Sequence, residues 1–198
     1  MGALIEGRWT SDDDLLRNGA FDRKPTSFRR RIAADGEFPA EPGRYHLYVS
    51  LACPWASRTL VVRKLKQLEE VISVTNVHPD ILENGWTFGG EPDPLNGFFF
   101  LYQVYQAAEP RYSGRVAVPV LWDTKTKTIV NNESSEIIRL LNSEFDTWGD
   151  ASIDLYPHDL APAIDALNAK VYETVNNGVY RAGFATSQAV YDLSLIHI

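Results

Sequence analysis

The chain has 198 residues, a formal net charge of −7, and 44% hydrophobic against 23% charged residues. This composition is typical of a folded globular protein and excludes a chain too polar to bury a core. The acidic balance argues against a nucleic-acid partner, because such binding depends on a basic surface; the isolated run Arg29–Arg31 is interpreted as a solvated face. No stretch approaches the ~20 apolar residues of a membrane span, and no signal-peptide pattern opens the chain. We therefore expect a cytoplasmic protein with no membrane partner.

Cysteine and histidine usage limits the chemistry. The single cysteine, Cys53, excludes an internal disulfide, a CxxC redox couple and a cysteine-rich zinc site. The four histidines show no metal-ligand spacing. We expect no metal, and any chemistry of Cys53 to be that of a lone thiolate.

The first ordered pattern is a strand, a helix and a second strand. Residues 1–43 are rich in Gly, Asp, Arg and Pro and predict an irregular arm. Residues 45–50 alternate and predict a strand. Residues 55–68 predict a helix whose core face carries Val61, Leu65 and Leu68, and 71–77 predict a strand parallel to the first.

The middle of the chain predicts a long irregular segment followed by a hairpin and a helix. Residues 78–112 contain many turn residues, and so long a segment is usually functional or has small structure of its own. Residues 116–122 and 128–130 predict a β-hairpin, and 134–141 a helix that buries Ile137, Ile138 and Leu141.

The last part predicts helices only. Residues 144–158 resemble a linker, and an amphipathic helix capped by Asp159 carries an apolar face from Leu160 to Val175 before ending at 176–178. The order of elements predicts a small mixed α/β domain joined to an all-helical one.

Cys53 is the strongest candidate for a functional residue. It precedes Pro54 at the junction of a strand and a helix, and Pro is preferred at the first helical position. The unpaired N–H groups and positive dipole of a helix N-terminus stabilise a thiolate. A buried structural cysteine is the alternative interpretation.

Weaker candidates for site residues lie further along the sequence. Val118–Pro119 resembles the place of a cis-proline, although an ordinary edge-strand proline explains it equally. Glu133 and Ser134 open a helix that could bind a carboxylate or simply be capped there. Trp86 could cover a peptide ligand and Arg115 could clamp a carboxylate, with a core Trp and a solvated Arg as the alternatives.

Five blocks together resemble one enzyme family. Residues 44–56, RYHLYVSLACPWA, resemble the active-site signature of the glutathionyl-hydroquinone reductases, the Xi-class glutathione transferases. So do residues 83–88, 118–123, 129–138 and 175–180, in the same order.

The resemblance implies a fold, a reaction and a set of roles. It implies an α/β thioredoxin-like N-terminal domain (44–143) that binds glutathione, the linker 144–158, and the incomplete start of an all-α glutathione-transferase C-terminal domain (159–198). Cys53 would be the nucleophile that reduces glutathionyl-hydroquinones, with glutathione as co-substrate. The glutathione site would comprise Trp86, Arg115, Val118, Glu133 and Ser134, Tyr180 would reach the quinone pocket, and the full-length protein would be a homodimer.

Two departures from the family pattern stand out. Ser57 occupies a position where the family usually has His, so no imidazole is expected to assist there. Full-length relatives extend past residue 198, and the tail 194–198 does not resemble the family; we interpret it as foreign sequence. An incomplete helical domain would expose the apolar face from Leu160 to Val175.

Two other functions remain open from the sequence. An omega-like glutathione transferase with deglutathionylase or dehydroascorbate reductase activity also uses a Cys before Pro, but should lack the blocks at 84–86 and 176–178. A glutathione-binding module without turnover is the alternative outside the enzymes.

Overall fold

The computed structural model describes residues 2–11, 16–17 and 20–195 of the chain. Two compact units can be distinguished: one formed by the described residues within 1–13 and 26–155, the other by those within 14–25 and 156–198. The predicted arm, residues 1–43, is therefore divided between the units. Of the tail 194–198, residues 196–198 lie outside the described part.

The elements are as follows in chain order. The strands are β1 (Ala3–Ile5), β2 (Arg8–Thr10), β3 (Leu16–Arg17), β4 (Ala20–Phe21), β5 (Tyr45–Val49), β6 (Ser73–Asn76), β7 (Gly114–Arg115), β8 (Val120–Asp123) and β9 (Thr128–Asn131). The helices are α1 (Pro54–Leu65), α2 (Leu101–Ala108), α3 (Ser134–Ser143), α4 (Ala161–Val171), α5 (Gly178–Gly183) and α6 (Gln188–Leu195), with a π-helical turn at Tyr172–Asn176.

The core of the first unit is a four-stranded mixed sheet. Its order is β6-β5-β8-β9, with β5 and β6 parallel and the β8–β9 hairpin antiparallel, which confirms both predicted pairings. All five residues of β5 are buried. This sheet fixes where the chain enters α1 after β5 and where it enters β8 after Pro119, and these are the two places that carry the candidate site.

The prediction for the buried face of α1 was wrong. Ala56, Thr59 and Val62 are buried, whereas Val61 is 56% and Leu65 44% exposed. The small side chains of Ala56 and Thr59 pack inward, so the larger apolar residues at the predicted spacing follow another face. Leu68, also assigned to that face, is buried but lies after the helix has ended.

The long segment 78–112 contains one regular element. Helix α2 buries Leu101, Val104 and Tyr105 in the core. Of the two explanations predicted for this long segment, a function or small structure of its own, the second is confirmed. Helix α3 buries Ile137 and Leu141 as predicted, while Ile138 is only partly buried.

The predicted linker is largely attached to the first unit. The Nζ of Lys66, whose side chain is 1% exposed, donates to Asp146 Oδ1 at 2.7 Å and to the Ile153 carbonyl at 2.7 Å. Asn142 binds Asp154 Oδ1 and the Leu155 amide, each at 2.8 Å. Residues up to 155 are therefore held by two buried polar side chains.

The second unit contains the predicted helix, but the structure corrects both of its predicted ends. The N-cap of α4 is Leu160 rather than Asp159, and the helix continues into the π-helical turn. Asn177 keeps right-handed helical angles, so Gly178 begins α5 instead of ending a helix. The apolar face is exposed in part: Leu160 is 52%, Leu167 62% and Val175 49% exposed, whereas Ile164 and Val171 are partly buried.

Candidate functional site

Cys53 lies where the chain leaves β5 and starts α1. It is the N-cap residue, with extended backbone angles, and Pro54 is the first helical residue. The thiol makes no capping hydrogen bond, and the first turn of α1 contains no acidic residue. The helix dipole therefore acts on the thiol without an opposing charge in that turn, which favours a thiolate.

Val118 faces this cysteine. The Val118–Pro119 peptide bond is cis, and Cys53 Sγ lies 3.7 Å from the Val118 carbonyl oxygen. Cys53 is partly buried and Val118 is 6% exposed. The structure thus brings together two of the predicted site residues from segments 65 positions apart.

A buried tyrosine holds the segment before Val118. The Tyr105 hydroxyl donates to the Ala117 carbonyl at 2.7 Å and accepts from the Ala117 amide at 3.2 Å and from Asn132 Nδ2 at 3.2 Å. Burial raises the pKa of Tyr105, so the phenol stays protonated and can donate. Helix α2, which the sequence analysis did not predict, therefore positions one wall of the site.

Glu133 and Ser134 begin α3 together. Glu133 is the N-cap, and its Oε1 accepts from the Ser135 amide at 3.2 Å and from the Ser135 hydroxyl at 2.9 Å. Its Oε2 accepts from the Thr26 hydroxyl at 3.4 Å. Ser134 is 3% exposed. The helix start thus presents a carboxylate beside a hydroxyl.

Arg58 is the residue that the sequence analysis missed. From the second turn of α1 it reaches Ser134 Oγ with Nε at 3.0 Å and Nη2 at 2.6 Å, and Nη2 is 3.6 Å from Glu133 Oε1. The sequence could have indicated Arg58 by its position. It lies five residues after Cys53, whereas the other basic residues of α1 lie in the last turn.

Trp86 and Arg115 are held by their backbones. The Trp86 carbonyl accepts from the Leu101 amide at 2.9 Å, and its ring packs partly buried against the core. Arg115 lies in β7, paired with Ala3 of β1, and its carbonyl accepts from the Tyr112 hydroxyl at 3.1 Å. Their part in ligand binding stays a prediction.

Ser57 and Tyr180 complete the predicted set. The Ser57 hydroxyl donates to the Cys53 carbonyl at 3.1 Å, so this side chain supports the helix start. Tyr180 lies in the second unit, its ring stacked on Phe21 with centroids 5.4 Å apart and covered by the Arg23 guanidinium at 4.6 Å. Its role in a quinone pocket stays a prediction.

Two general features of the described residues bear on function. No group of three or more His, Cys, Asp or Glu residues within 2–11, 16–17 and 20–195 could hold a metal ion. None of the helices in the described part is both long and apolar enough to cross a membrane.

Comparison with known proteins gives consistent results. Residues 52–144 match the family model for the glutathione S-transferase N-terminal domain. The chain is 54% identical to the glutathionyl-hydroquinone reductase PcpF of Sphingobium chlorophenolicum, covering 97% of this chain and 63% of that protein. It therefore spans less than two thirds of the length of this relative.

Solved structures confirm the predicted fold. The Xi glutathione S-transferase of Phanerochaete chrysosporium superposes with a TM-score of 0.89 at 49% identity, covering 95% of this chain and 64% of that one. The glutathione-bound structure of YqjG, a glutathione transferase homologue of Escherichia coli, gives 0.86 at 52% identity, covering 99% and 63%. The thioredoxin-like unit and the start of a helical unit are those of this fold, and the chain is similar to the Xi-class glutathione transferases over the part of their length that it spans.

Proposed function

We propose that this protein reduces glutathionyl-hydroquinones to hydroquinones, with glutathione as co-substrate and Cys53 as nucleophile. The observation that carries the proposal is the position of the only cysteine: an N-cap followed by Pro54, with Sγ 3.7 Å from the Val118 carbonyl. The similarity to a glutathionyl-hydroquinone reductase supports the substrate class, and the similarity to a glutathione-bound structure supports the use of glutathione.

The reaction proceeds in two steps, the cleavage of a sulfur–carbon bond and then a thiol–disulfide exchange. The Cys53 thiolate attacks the sulfur of the glutathionyl-hydroquinone, a sulfur–sulfur bond forms, and the sulfur–carbon bond breaks. The ring carbon keeps the electron pair and takes up a proton, which gives the hydroquinone. A second glutathione thiolate then attacks the glutathionyl sulfur of the mixed disulfide, releasing glutathione disulfide and the Cys53 thiolate. The lone cysteine suits this route, because these 198 residues contain no second thiol to resolve the disulfide.

The remaining site residues have proposed roles. Val118 offers its backbone to the cysteinyl part of glutathione, and Trp86 and Arg115 lie over its cysteinyl and glycyl end. Glu133 and Ser134 hold the γ-glutamyl end, and Tyr180 contacts the quinone. The full-length protein is proposed to be a homodimer, which light scattering of the purified protein would check.

A turnover assay tests the reaction. Cys53→Ala is expected to abolish formation of hydroquinone and of glutathione disulfide, measured by chromatography. Ser143→Ala, at an exposed hydroxyl on α3 that bonds the Arg139 carbonyl and Glu144, is the matched control and should keep the rate. Substantial activity in Cys53→Ala sinks the mechanism. Binding of glutathione without exchange by the unaltered protein favours the non-catalytic alternative.

A further inference from the structure

Arg58 connects the helix that begins at Cys53 with the helix that begins at Ser134. Both its Nε and its Nη2 approach the same atom, Ser134 Oγ, at 3.0 and 2.6 Å. A guanidinium has donors and no acceptor, so the hydroxyl oxygen must accept both hydrogen bonds. Such charge-assisted contacts are stronger than neutral ones and fix the geometry.

This arrangement determines the direction of the Ser134 proton. A hydroxyl has one proton to donate and two acceptor positions, and Arg58 occupies the acceptor side. The proton therefore points away from the guanidinium. Within the described part of the chain, no hydrogen bond uses this proton, and it is oriented to meet an acceptor on a ligand.

Glu133 provides the complementary charge beside it. Its Oε1 is committed to Ser135 and lies 3.6 Å from Arg58 Nη2, whereas Oε2 has one long contact, with Thr26 at 3.4 Å. A carboxylate oxygen accepts about two hydrogen bonds, so Oε2 keeps capacity for a donor such as an ammonium. The Arg58 and Glu133 side chains are 31% and 20% exposed, so a ligand can reach both.

We propose that Arg58 is a positioning residue that makes this site selective for ligands bearing an α-carboxylate next to an ammonium group, the free amino-acid end of a γ-glutamyl thiol. Arg58 turns the Ser134 proton toward the carboxylate. Glu133 Oε2 takes the ammonium. The inference rests on the proposed function, since it names the feature by which the glutathione site recognises its thiol.

The test compares two ligands on one protein. Glutathione and its analogue without the α-carboxylate, γ-aminobutyryl-cysteinyl-glycine, are titrated by calorimetry into Cys53→Ser protein, so that exchange cannot occur. Adding Arg58→Met should weaken glutathione binding roughly 10- to 100-fold, the loss expected for a charge-assisted hydrogen bond. Binding of the analogue should change less than about threefold, because it lacks the group that Arg58 acts upon.

Arg63→Met is the matched control on the same helix. Arg63 lies in the last turn of α1, and its guanidinium donates to the backbone carbonyls of Ile72 at 2.6 Å and Glu69 at 2.9 Å. Its loss should lower thermal stability without discriminating between the ligands. Arg58→Lys keeps the charge but cannot place two donors on one oxygen, and is expected to lie between wild type and Arg58→Met; it serves if Arg58→Met does not fold.

The outcomes separate the inference from the proposed function. Equal weakening of both ligands by Arg58→Met means that Arg58 only supports the fold, and no weakening means that it does not act on the ligand; either result overturns the inference and leaves the proposed function in place. Failure of the Cys53→Ser protein with intact Arg58 to bind glutathione overturns both.

Discussion

Replacement of Arg44 by Met should destabilise the protein by about 3 kcal/mol at neutral pH. Arg44 Nε and Nη2 bind Asp123 Oδ1 and Oδ2 at 3.0 and 2.6 Å, and the two side chains are 6% and 0% exposed. Removing one partner of a buried pair leaves an uncompensated charge, at a cost of roughly 3–5 kcal/mol. The lower end applies because each carboxylate oxygen keeps one donor, the Lys125 amide at 2.9 Å and the Thr126 hydroxyl at 2.7 Å.

The pair matters for the site because of the strands that it joins. Tyr45, the first residue of β5, pairs with Asp123, the last residue of β8. Cys53 follows the other end of β5, and Pro119 precedes the other end of β8. The pair therefore fixes the far end of the two strands that hold the nucleophile and its facing carbonyl.

The cost of Arg44→Met should depend on pH. Burial opposes ionisation of Asp123, but hydrogen bonds from Arg44, Thr126 and the Lys125 amide hold the pKa of its carboxyl below the ordinary value. A lowered folded-state pKa stabilises the protein above the unfolded pKa of about 3.9, and this stability is lost as the pH falls through the folded value. In the variant burial dominates and raises the pKa, so the difference between the proteins should shrink from pH 7 to pH 3.

Chemical denaturation at the two pH values measures this difference. The double variant Arg44→Met/Asp123→Asn should recover part of the loss at pH 7, because it removes the stranded charge. A loss below about 1 kcal/mol at pH 7, or one that is the same at pH 3, would show that the pair is not the buried interaction described.

Two further predictions concern buried groups outside the site. Burial lowers the pKa of His46 to about 4. The contribution of the neutral imidazole to the free energy of unfolding is therefore complete above pH 6.5, and about 3 kcal/mol is lost as the pH falls to 4. The variant His46→Gln should flatten the dependence of this free energy on pH in that window, and an unchanged slope would contradict the assignment. Lys66→Met removes the donor to Asp146 and Ile153 and should cost roughly 1–3 kcal/mol. Amide exchange should then rise first in residues 144–155, and uniform exchange throughout the first unit would count against a local anchor.

The sequence was most informative where local rules and packing agree. The strand before Cys53, the parallel return and the hairpin were predicted from alternation and turn residues, and Ile137 and Leu141 from their spacing. These elements carry the thioredoxin-like unit, which is why the position of Cys53 at a helix start could be predicted without coordinates.

The failures have physical causes. The buried face of α1 contains Ala56 and Thr59, whose side chains are small or polar and contribute little to a hydrophobic pattern. The spacing of the larger apolar residues, which include the exposed Val61, therefore predicted the wrong face. Helix α2 is short and follows many turn residues, and its burial comes from tertiary contacts. The contact of Arg58 with Ser134 joins residues 76 positions apart, and no local pattern encodes it.

The intact mass of the chain after exposure to a glutathionyl-hydroquinone tests the central claim most directly, beside a Cys53→Ser control. We predict a mass gain of one glutathionyl group, absent from the control and reversed by free glutathione. Folded protein that acquires no adduct, or an adduct that persists in the Cys53→Ser variant, would contradict the assignment of Cys53 as the nucleophile of this chain.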